Sequence, residues 1–344
     1  LVDFTGDEAS ILNQIRSLVS ILPANNEDDM SYDECNDDLN RVCEGLENCA
    51  GDTSLALTMI SDDNFFMEVK AAYEPSMVTG FIRLNGTTIG CVANRSEKYD
   101  EKGDKAAEYD AVLTSRGCKK AADFVAFCDA FNIPLLTLVN VKGYAATKCS
   151  EKNMAKAAGR LTYAFANASV PKVTVIAGEA YGTAYLTMNS KAIGADIVYA
   201  WPNAAIGMMD AAAAVKIMYA DEISKADNGA ALIQEKAAQY QELQSSALAA
   251  AKRGYVDDIV NPEDTRKRVI AALLTASMVV GLLAGCGSSG GDSGGESKEA
   301  GKQGKEASLR FIDVNPSPER QKYYEGVFQK FEEETGISVA YESV

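Results

Sequence analysis

Two glycine turns hold the residues of this sequence best suited to chemistry. The first closes the apolar run Phe131-Asn132-Ile133-Pro134-Leu135-Leu136-Thr137-Leu138-Val139-Asn140-Val141-Lys142-Gly143-Tyr144, which reads as a buried strand whose final glycine frees a backbone N–H. The second is Val173-Thr174-Val175-Ile176 followed by Glu179-Ala180-Tyr181-Gly182-Thr183-Ala184-Tyr185, a strand that runs through a glycine turn into a helix. N–H groups converging at such a turn, with a helix dipole behind them, favour an anion, which is the physics of an oxyanion hole. A third stretch, Gly194-Ala195-Asp196 with Ala200-Trp201-Pro202-Asn203-Ala204, leads a strand to a bulky aromatic and a proline turn. Taken alone, the small residues around Gly182 read as close packing ahead of catalysis.

Composition narrows the chemistry further. No histidine occurs, which removes the commonest general base, every Ser-His-Asp or Cys-His arrangement and most zinc-site designs. Reactions must then run on backbone dipoles, carboxylates, lysine, tyrosine or a cofactor. Lys plus Arg number 33 against 49 Asp plus Glu, and a net charge of -16 argues against a nucleic-acid partner. With 344 residues, 47% of them hydrophobic, the chain can bury a sizeable core and has room for two ordinary domains. None of the eight cysteines forms a C-x-x-C pair. Cys35, Cys43 and Cys49, in an acidic loop, read as solvated rather than metal-binding, and most of the rest as buried thiols of a cytoplasmic protein.

The elements that must position the turns follow from periodicity. Ile11, Leu12, Ile15, Leu18, Val19 and Leu22 mark an amphipathic helix stopped by Pro23, and Glu27 to Asp52 reads as an acidic surface loop. Strands are expected over Met77–Leu84, Thr88–Ala93, Leu135–Val141, Val173–Ile176 and Ile197–Ala200, with Gly86 and Gly90 bracketing a hairpin turn. Helices are expected over Lys105–Phe131, Glu151–Ala168, Ala211–Asp221 and Ala230–Ala251. Strands separated by helices imply an α/β domain with mostly parallel pairing.

The texture breaks after Arg266. Arg266-Lys267-Arg268, an apolar run from Val269 to Leu283 and then Leu283-Ala284-Gly285-Cys286 have the shape of a bacterial lipoprotein signal, with an ordinary buried terminal helix as the other reading of the apolar run. At this internal position the signal is not expected to act, so Cys286 should stay unlipidated, and the Gly/Ser-rich linker 287–307 should be disordered. The tail from Leu309, with Tyr324, Val327, Phe328 and Phe331 at helical spacing, resembles the opening strand and helix of an extracellular solute-binding protein. A join of two genes would explain the order.

Several stretches together resemble the acyl-CoA carboxyltransferase family in order and spacing. They are Phe81-Ile82-Arg83-Leu84-Asn85-Gly86, Ile89-Gly90-Cys91-Val92-Ala93-Asn94, Cys128-Asp129-Ala130-Phe131-Asn132-Ile133-Pro134, Ala180-Tyr181-Gly182, Ala200-Trp201-Pro202 and Arg253-Gly254-Tyr255-Val256-Asp257-Asp258. The resemblance covers roughly Ile11 to Ala272 and falls on the family's C-terminal half, with Leu22-Pro23-Ala24-Asn25-Asn26 as the turn that joins the halves. It implies a crotonase-like α/β spiral of ββα units in which backbone N–H groups at Gly143, Gly182 and Thr183 stabilise the ureido oxygen of biotin as carboxybiotin gives up its carboxyl group. It further implies biotin contacts from Tyr144, Tyr181, Ala184, Leu186, Trp201 and Pro202, with an acyl-CoA as the other substrate. The implied partners are a biotin carboxyl carrier protein, a biotin carboxylase or decarboxylase pump subunits, the acyl-CoA-binding N-terminal half, and further copies of the chain in a homo-oligomer. The family's common patterns Asp-Val-Pro-Gly-Phe, Lys-Ala-Tyr-Gly-Gly-Ala-Tyr and Val-Met-Gly appear here as Asn140 to Tyr144, Glu179 to Tyr185 and Met208-Met209-Asp210. A glycine replaced by Thr183 is harmless only where φ stays negative. The expected organisation is an inter-half helix and loop over 1–58, the carboxybiotin-binding domain over 59–268, the signal-like segment and linker over 269–308, and the solute-binding-protein fragment over 309–344.

Overall fold

The structure, a computed structural model, describes residues 2–26, 31–100, 102–273, 308–313 and 338–343, with helical positions 318, 321, 322, 324 and 327–329. Two compact units divide between Ala276 and Ser277.

In the larger unit, strands β1 (Phe66–Glu68), β2 (Met77–Leu84) and β3 (Thr87–Asn94) pair antiparallel. The antiparallel hairpin β4 (Glu97–Tyr99) and β5 (Lys105–Glu108) follows, then β6 (Val112–Leu113). Next come β7 (Leu135–Val141), β8 (Gly143–Tyr144), β9 (Lys172–Tyr181), β10 (Ile197–Ala200), β11 (Ala205–Gly207) and β12 (Asp258–Ile259). The main sheet runs β1-β2-β3-β7-β9-β10-β12 with β11 on the end of β9, and it is parallel from β3 onward. Beside it β6 pairs parallel with β8.

Parallel strands are buried on both faces, so β7 reads as a nearly unbroken apolar run. Its side chains nevertheless divide with period two. Leu135, Val139 and Val141 enter one core, while Leu136 and Leu138 enter the other. Helices α3 (Ser115–Ala130) and α4 (Lys148–Asn167) cover the first face. Each starts at a threonine: Thr114 Oγ1 accepts from the Gly117 N–H at 2.9 Å and Thr147 Oγ1 from the Ser150 N–H at 3.2 Å. On the second face lie α2 (Thr53–Ile60) and the helical residues 265–273. The N-terminal helix α1 (Glu8–Ile21) packs Leu18 and Ile21 on the first core and leaves Leu12, Ile15 and Val19 exposed.

Several expectations are corrected. Lys105 to Glu108 forms a hairpin strand, because Asp100 Oδ1 accepts the N–H groups of Lys102 and Asp104 and closes a turn there, and the helix begins only at Ser115. Asn85 and Gly86, both with positive φ, make the β2–β3 turn, whereas Gly90 lies inside β3, where a Cβ would sit 2.5 Å from Cys128 Sγ. The stretch 211–221 divides into α6 (Ala211–Met218) and α7 (Ala220–Lys225). The stretch 230–251 divides into α8 (Gly229–Tyr240), a π turn and α9 (Ala247–Lys252). Cys43 is buried, not solvated, and donates from Sγ to the Met59 carbonyl at 3.3 Å.

Segments from both ends of the larger unit contribute to the second core. Leu46 and Leu57 join the second core, and so do Val269, Ile270, Ala272 and Leu273, so the apolar run begins as core rather than as a detached segment. Arg266, fully buried, joins these pieces. It donates to the Ile60 carbonyl at 2.6 Å and pairs with Asp62 at 2.7 Å and Asp37 at 3.4 Å. The expectations for Cys286 and for 287–307 lie outside the described residues.

In the smaller unit, β13 (Ser308–Asp313) pairs parallel with β14 (Ser338–Ser343), and helical positions lie between them, where Tyr324 stacks on Phe328 with ring centroids 5.9 Å apart. Among the described residues no helix is long and apolar enough to cross a membrane.

Arg266→Met should remove the cation that compensates two acidic side chains in the core. Breaking a buried pair on one side costs about 3–5 kcal/mol, so urea unfolding should show a large loss of stability, and an unchanged midpoint would refute this account of Arg266.

Candidate functional site

Where β7 meets β9 the ladder breaks. Val139 pairs with Ile176, but the next pair is Val141 with Ala180, so four residues of β9 span what two span on β7. Asn140 fills the step. Its Oδ1 accepts the Glu179 N–H at 3.0 Å and its Nδ2 donates to the Ala50 carbonyl at 3.1 Å. Asn94 clamps its backbone, accepting the Asn140 N–H on Oδ1 at 3.0 Å and donating from Nδ2 to the Asn140 carbonyl. Gly178 lies beneath this amide, where a Cβ would stand 2.6 Å from Asn140 Oδ1. Bulges of this kind re-aim a strand next to a working site.

Beyond the bulge β7 leaves the main sheet and continues as β8 against β6, with Gly143 a strand residue there, while β9 turns at a glycine. β9 runs on beside β11, with Gly207 opposite Tyr181, into Gly182, which opens helix α5 (Gly182–Thr187). Gly182 has φ +60°, and a Cβ there would meet the Met208 carbonyl at 3.1 Å, so glycine is required twice over. Thr183 is absent from the positive-φ residues, so its side chain carries no backbone strain. The cap residue Tyr181 gives no side-chain hydrogen bond to the first turn of α5. Gly143, on β8, faces open space: a Cβ there would meet nothing within 4 Å.

The structure joins these turns through Tyr144. Its hydroxyl donates to the Thr183 carbonyl at 3.1 Å and lies 2.7 Å from Thr187 Oγ1, which itself donates to the Thr183 carbonyl at 2.8 Å. Lys142 pairs with Glu179 at 3.3 Å across the same gap. Gly143, Tyr144, Gly182 and Thr183 are thereby brought together, with Leu186 on the exposed side of α5. Ala184 is buried in the first core, and Tyr181 is buried too, which pushes its phenol up to about 12 and keeps it neutral.

Trp201 does not join them. Period two along β10 puts Tyr199 and Trp201 in the second core, opposite Val198 and Ala200, and the indole N–H is spent on Thr265 Oγ1 at 3.0 Å. Trp201 therefore closes the core behind the 265–273 helix instead of walling a ligand site, while Pro202 beside it is exposed. The sequence reading passed over Asn94 and Gly178. An amide at the end of a buried strand, which must find partners for each polar atom, was the available signal. Among the described residues, no three or more Cys, Asp or Glu side chains converge to hold a metal.

The largely parallel sheet, covered by helices on both faces, and its likeness to solved structures make the chain an α/β protein of crotonase-like fold. Within it, the chain belongs to the carboxyl transferase domain family, whose model matches residues 3–278. It is 37% identical over 265 residues to the methylmalonyl-CoA carboxyltransferase 12S subunit of Propionibacterium freudenreichii subsp. shermanii, covering 75% of this chain and 49% of that one. It is 38% identical over 277 residues to the propionyl-CoA carboxylase carboxyltransferase subunit of Haloferax mediterranei, covering 78% and 52%. To the methylmalonyl-CoA decarboxylase subunit alpha of Propionigenium modestum it is 35% identical, covering 77% and 51%. The chain thus spans about half the length of these relatives. Among solved structures, the transcarboxylase 12S hexamer with methylmalonyl-coenzyme A bound matches with a TM-score of 0.71 and 33% identity over 87% of this chain and 54% of that one. The Pseudomonas aeruginosa geranyl-CoA carboxylase beta subunit matches with a TM-score of 0.58 and 25% identity over 80% and 51%.

Gly182→Ala should cost about 1–2 kcal/mol from its left-handed φ alone, and Asn140→Ala about 1–3 kcal/mol for the stranded Glu179 N–H. Thr183→Gly should cost less than about 1 kcal/mol, since no strain is relieved there. Denaturant midpoints for the three variants check this order.

Proposed function

We propose that this chain is the carboxybiotin-binding half of a biotin-dependent carboxyltransferase acting on a small acyl-CoA of the acetyl-, propionyl- or methylmalonyl-CoA type. The observation that carries the reading is the link from Tyr144 to Thr183 and Thr187, which sets the Gly143 and Gly182 turns beside one another. The site fits the ligand: Gly143 faces open space, the first turn of α5 carries no side-chain cap, and Leu186 offers apolar surface for the bicyclic ring.

Biotin, delivered on a separate carrier protein, supplies the carboxyl group. The N–H groups of Gly143, Gly182 and Thr183 would hold its ureido oxygen and stabilise negative charge there, each donor contributing on the order of 3 kcal/mol. No histidine would be needed as a base, because the proton displaced from the acyl-CoA α-carbon would pass to the ureido nitrogen that the carboxyl group leaves. The acyl-CoA and the donors that polarise it come from the other half of the enzyme, so the active unit is an oligomer containing that half. Localisation is cytoplasmic, where acyl-CoA substrates and the carrier protein meet.

The similarity to a decarboxylase alpha subunit supports a second reading, in which the same site runs the transfer backwards beside a sodium-pump subunit. Genes adjoining this one, encoding a biotin carboxylase or a membrane pump subunit, separate the two. A third reading, an inactive fusion fragment, follows from the unit that begins at Ser277.

Thr183→Pro tests the assignment. Proline is tolerated in the first turn of a helix and deletes one N–H. With the acyl-CoA-binding half supplied, carboxyl transfer between methylmalonyl-CoA and biocytin should fall about 100- to 1000-fold while the thermal midpoint barely moves. Wild-type turnover in a folded Thr183→Pro protein would end the oxyanion assignment.

A further inference from the structure

Between the two turns, backbone pairing stops early. The β7–β9 ladder ends at Val141 opposite Ala180, one residue short of Lys142 and two short of Gly182. Beyond that point the bonds that bridge the strands are made by side chains. One is the Lys142–Glu179 pair, whose side chains are 58% and 33% exposed and whose hold on the strands is correspondingly weak. The other is the Tyr144 hydroxyl, shared between the Thr183 carbonyl and Thr187 Oγ1. Thr187 is buried, Tyr144 half-buried and Thr183 exposed, so this bond lies at the edge of the core. Lys142 and Tyr144 each find a polar partner on the far side in this way.

We infer that Tyr144 is a positioning residue: its hydroxyl fixes the first turn of α5 relative to Gly143, and so holds the N–H groups at Gly143, Gly182 and Thr183 on one point. The inference rests on the proposed oxyanion role of those groups, but the coupling it claims is a property of the folded chain alone. Tyr144 touches no reacting atom in this account. Its ring also packs against the first core, so removal of the hydroxyl alone leaves the packing in place.

Tyr144→Phe deletes that one atom. Amide hydrogen exchange in the chain without ligand should accelerate about tenfold at Tyr185 and Leu186, whose N–H groups close the first turn of α5, as the local opening becomes easier, while α3 and the β3–β7 core keep their protection. Thr187→Val should give the same local signature, and the double variant should add little to either, as expected of partners in one network. In the enzyme completed with the acyl-CoA-binding half, Tyr144→Phe should lower kcat about tenfold with KM for biocytin unchanged. Tyr163→Phe, at an exposed site on α4, should change nothing and controls for the substitution itself.

Wild-type exchange at Tyr185 and Leu186 in Tyr144→Phe would overturn the inference whatever the protein's function. Altered exchange with full turnover would also overturn it, since the coupling would then not reach the reaction. A completed wild-type enzyme without any transfer would instead count against the proposed function, with the exchange measurement still deciding whether Tyr144 couples the turns.

Discussion

The register break at Asn140 is the constraint on which the site depends. A parallel ladder of constant register would carry β7 and β9 out of the sheet in step, and their ends would pair with one another instead of turning away. The two extra residues on β9 prevent this. They strand a backbone N–H at Glu179, which needs an acceptor, and Asn140 Oδ1 supplies it while Asn94 holds the Asn140 backbone in place. Gly178 is then dictated by the amide lying against it. Two asparagines and a glycine are thus bound into one arrangement, and the divergence of the two chain segments that carry Gly143 and Gly182 is its consequence.

Placing the turns is a separate matter from creating them. Gly182 sits where φ is left-handed and the Met208 carbonyl crowds its Cα, so the chain is pinned on that side by steric exclusion. On the Gly143 side nothing crowds the backbone. Rigidity there comes from hydrogen bonds, through Tyr144 to α5 and through the short β6–β8 pairing. The proposed anion-binding role requires donors that point at one place before the charge develops, and a crowded segment beside a tethered one would supply such preorganisation.

The acidic chain also organises its few buried cations around this frame. Arg266 draws Asp37, Asp62 and the Ile60 carbonyl onto one guanidinium, tying the acidic loop, the start of β1 and the 265–273 helix to the second face of the sheet. Lys120 is inserted among the carbonyls of Lys70, Tyr73 and Met77 on the other side, and burial lowers its ammonium to about 8. What reads along the chain as a surface loop and the start of a detached apolar segment is in this way part of the larger unit.

Period and composition by themselves determined much of this protein. The strands Met77–Leu84, Leu135–Val141 and Ile197–Ala200 begin and end where their largely apolar runs do, because strands buried on both faces are largely apolar. Gly182 was legible as a turn for a similar reason, since few other residues end a buried strand so sharply. Contacts between residues distant in sequence decided the rest. Trp201 looks like a ligand wall in one dimension, but the alternation of β10 turns it into the second core, where Thr265, far along the chain, takes its N–H. Val269 to Leu273 look like the start of a detached apolar segment until Arg266 meets Asp62. The pairing of Asn94 with Asn140, and of Tyr144 with Thr183, joins strands whose approach is fixed by the sheet's register, and a register is a property of two strands that neither one's sequence contains.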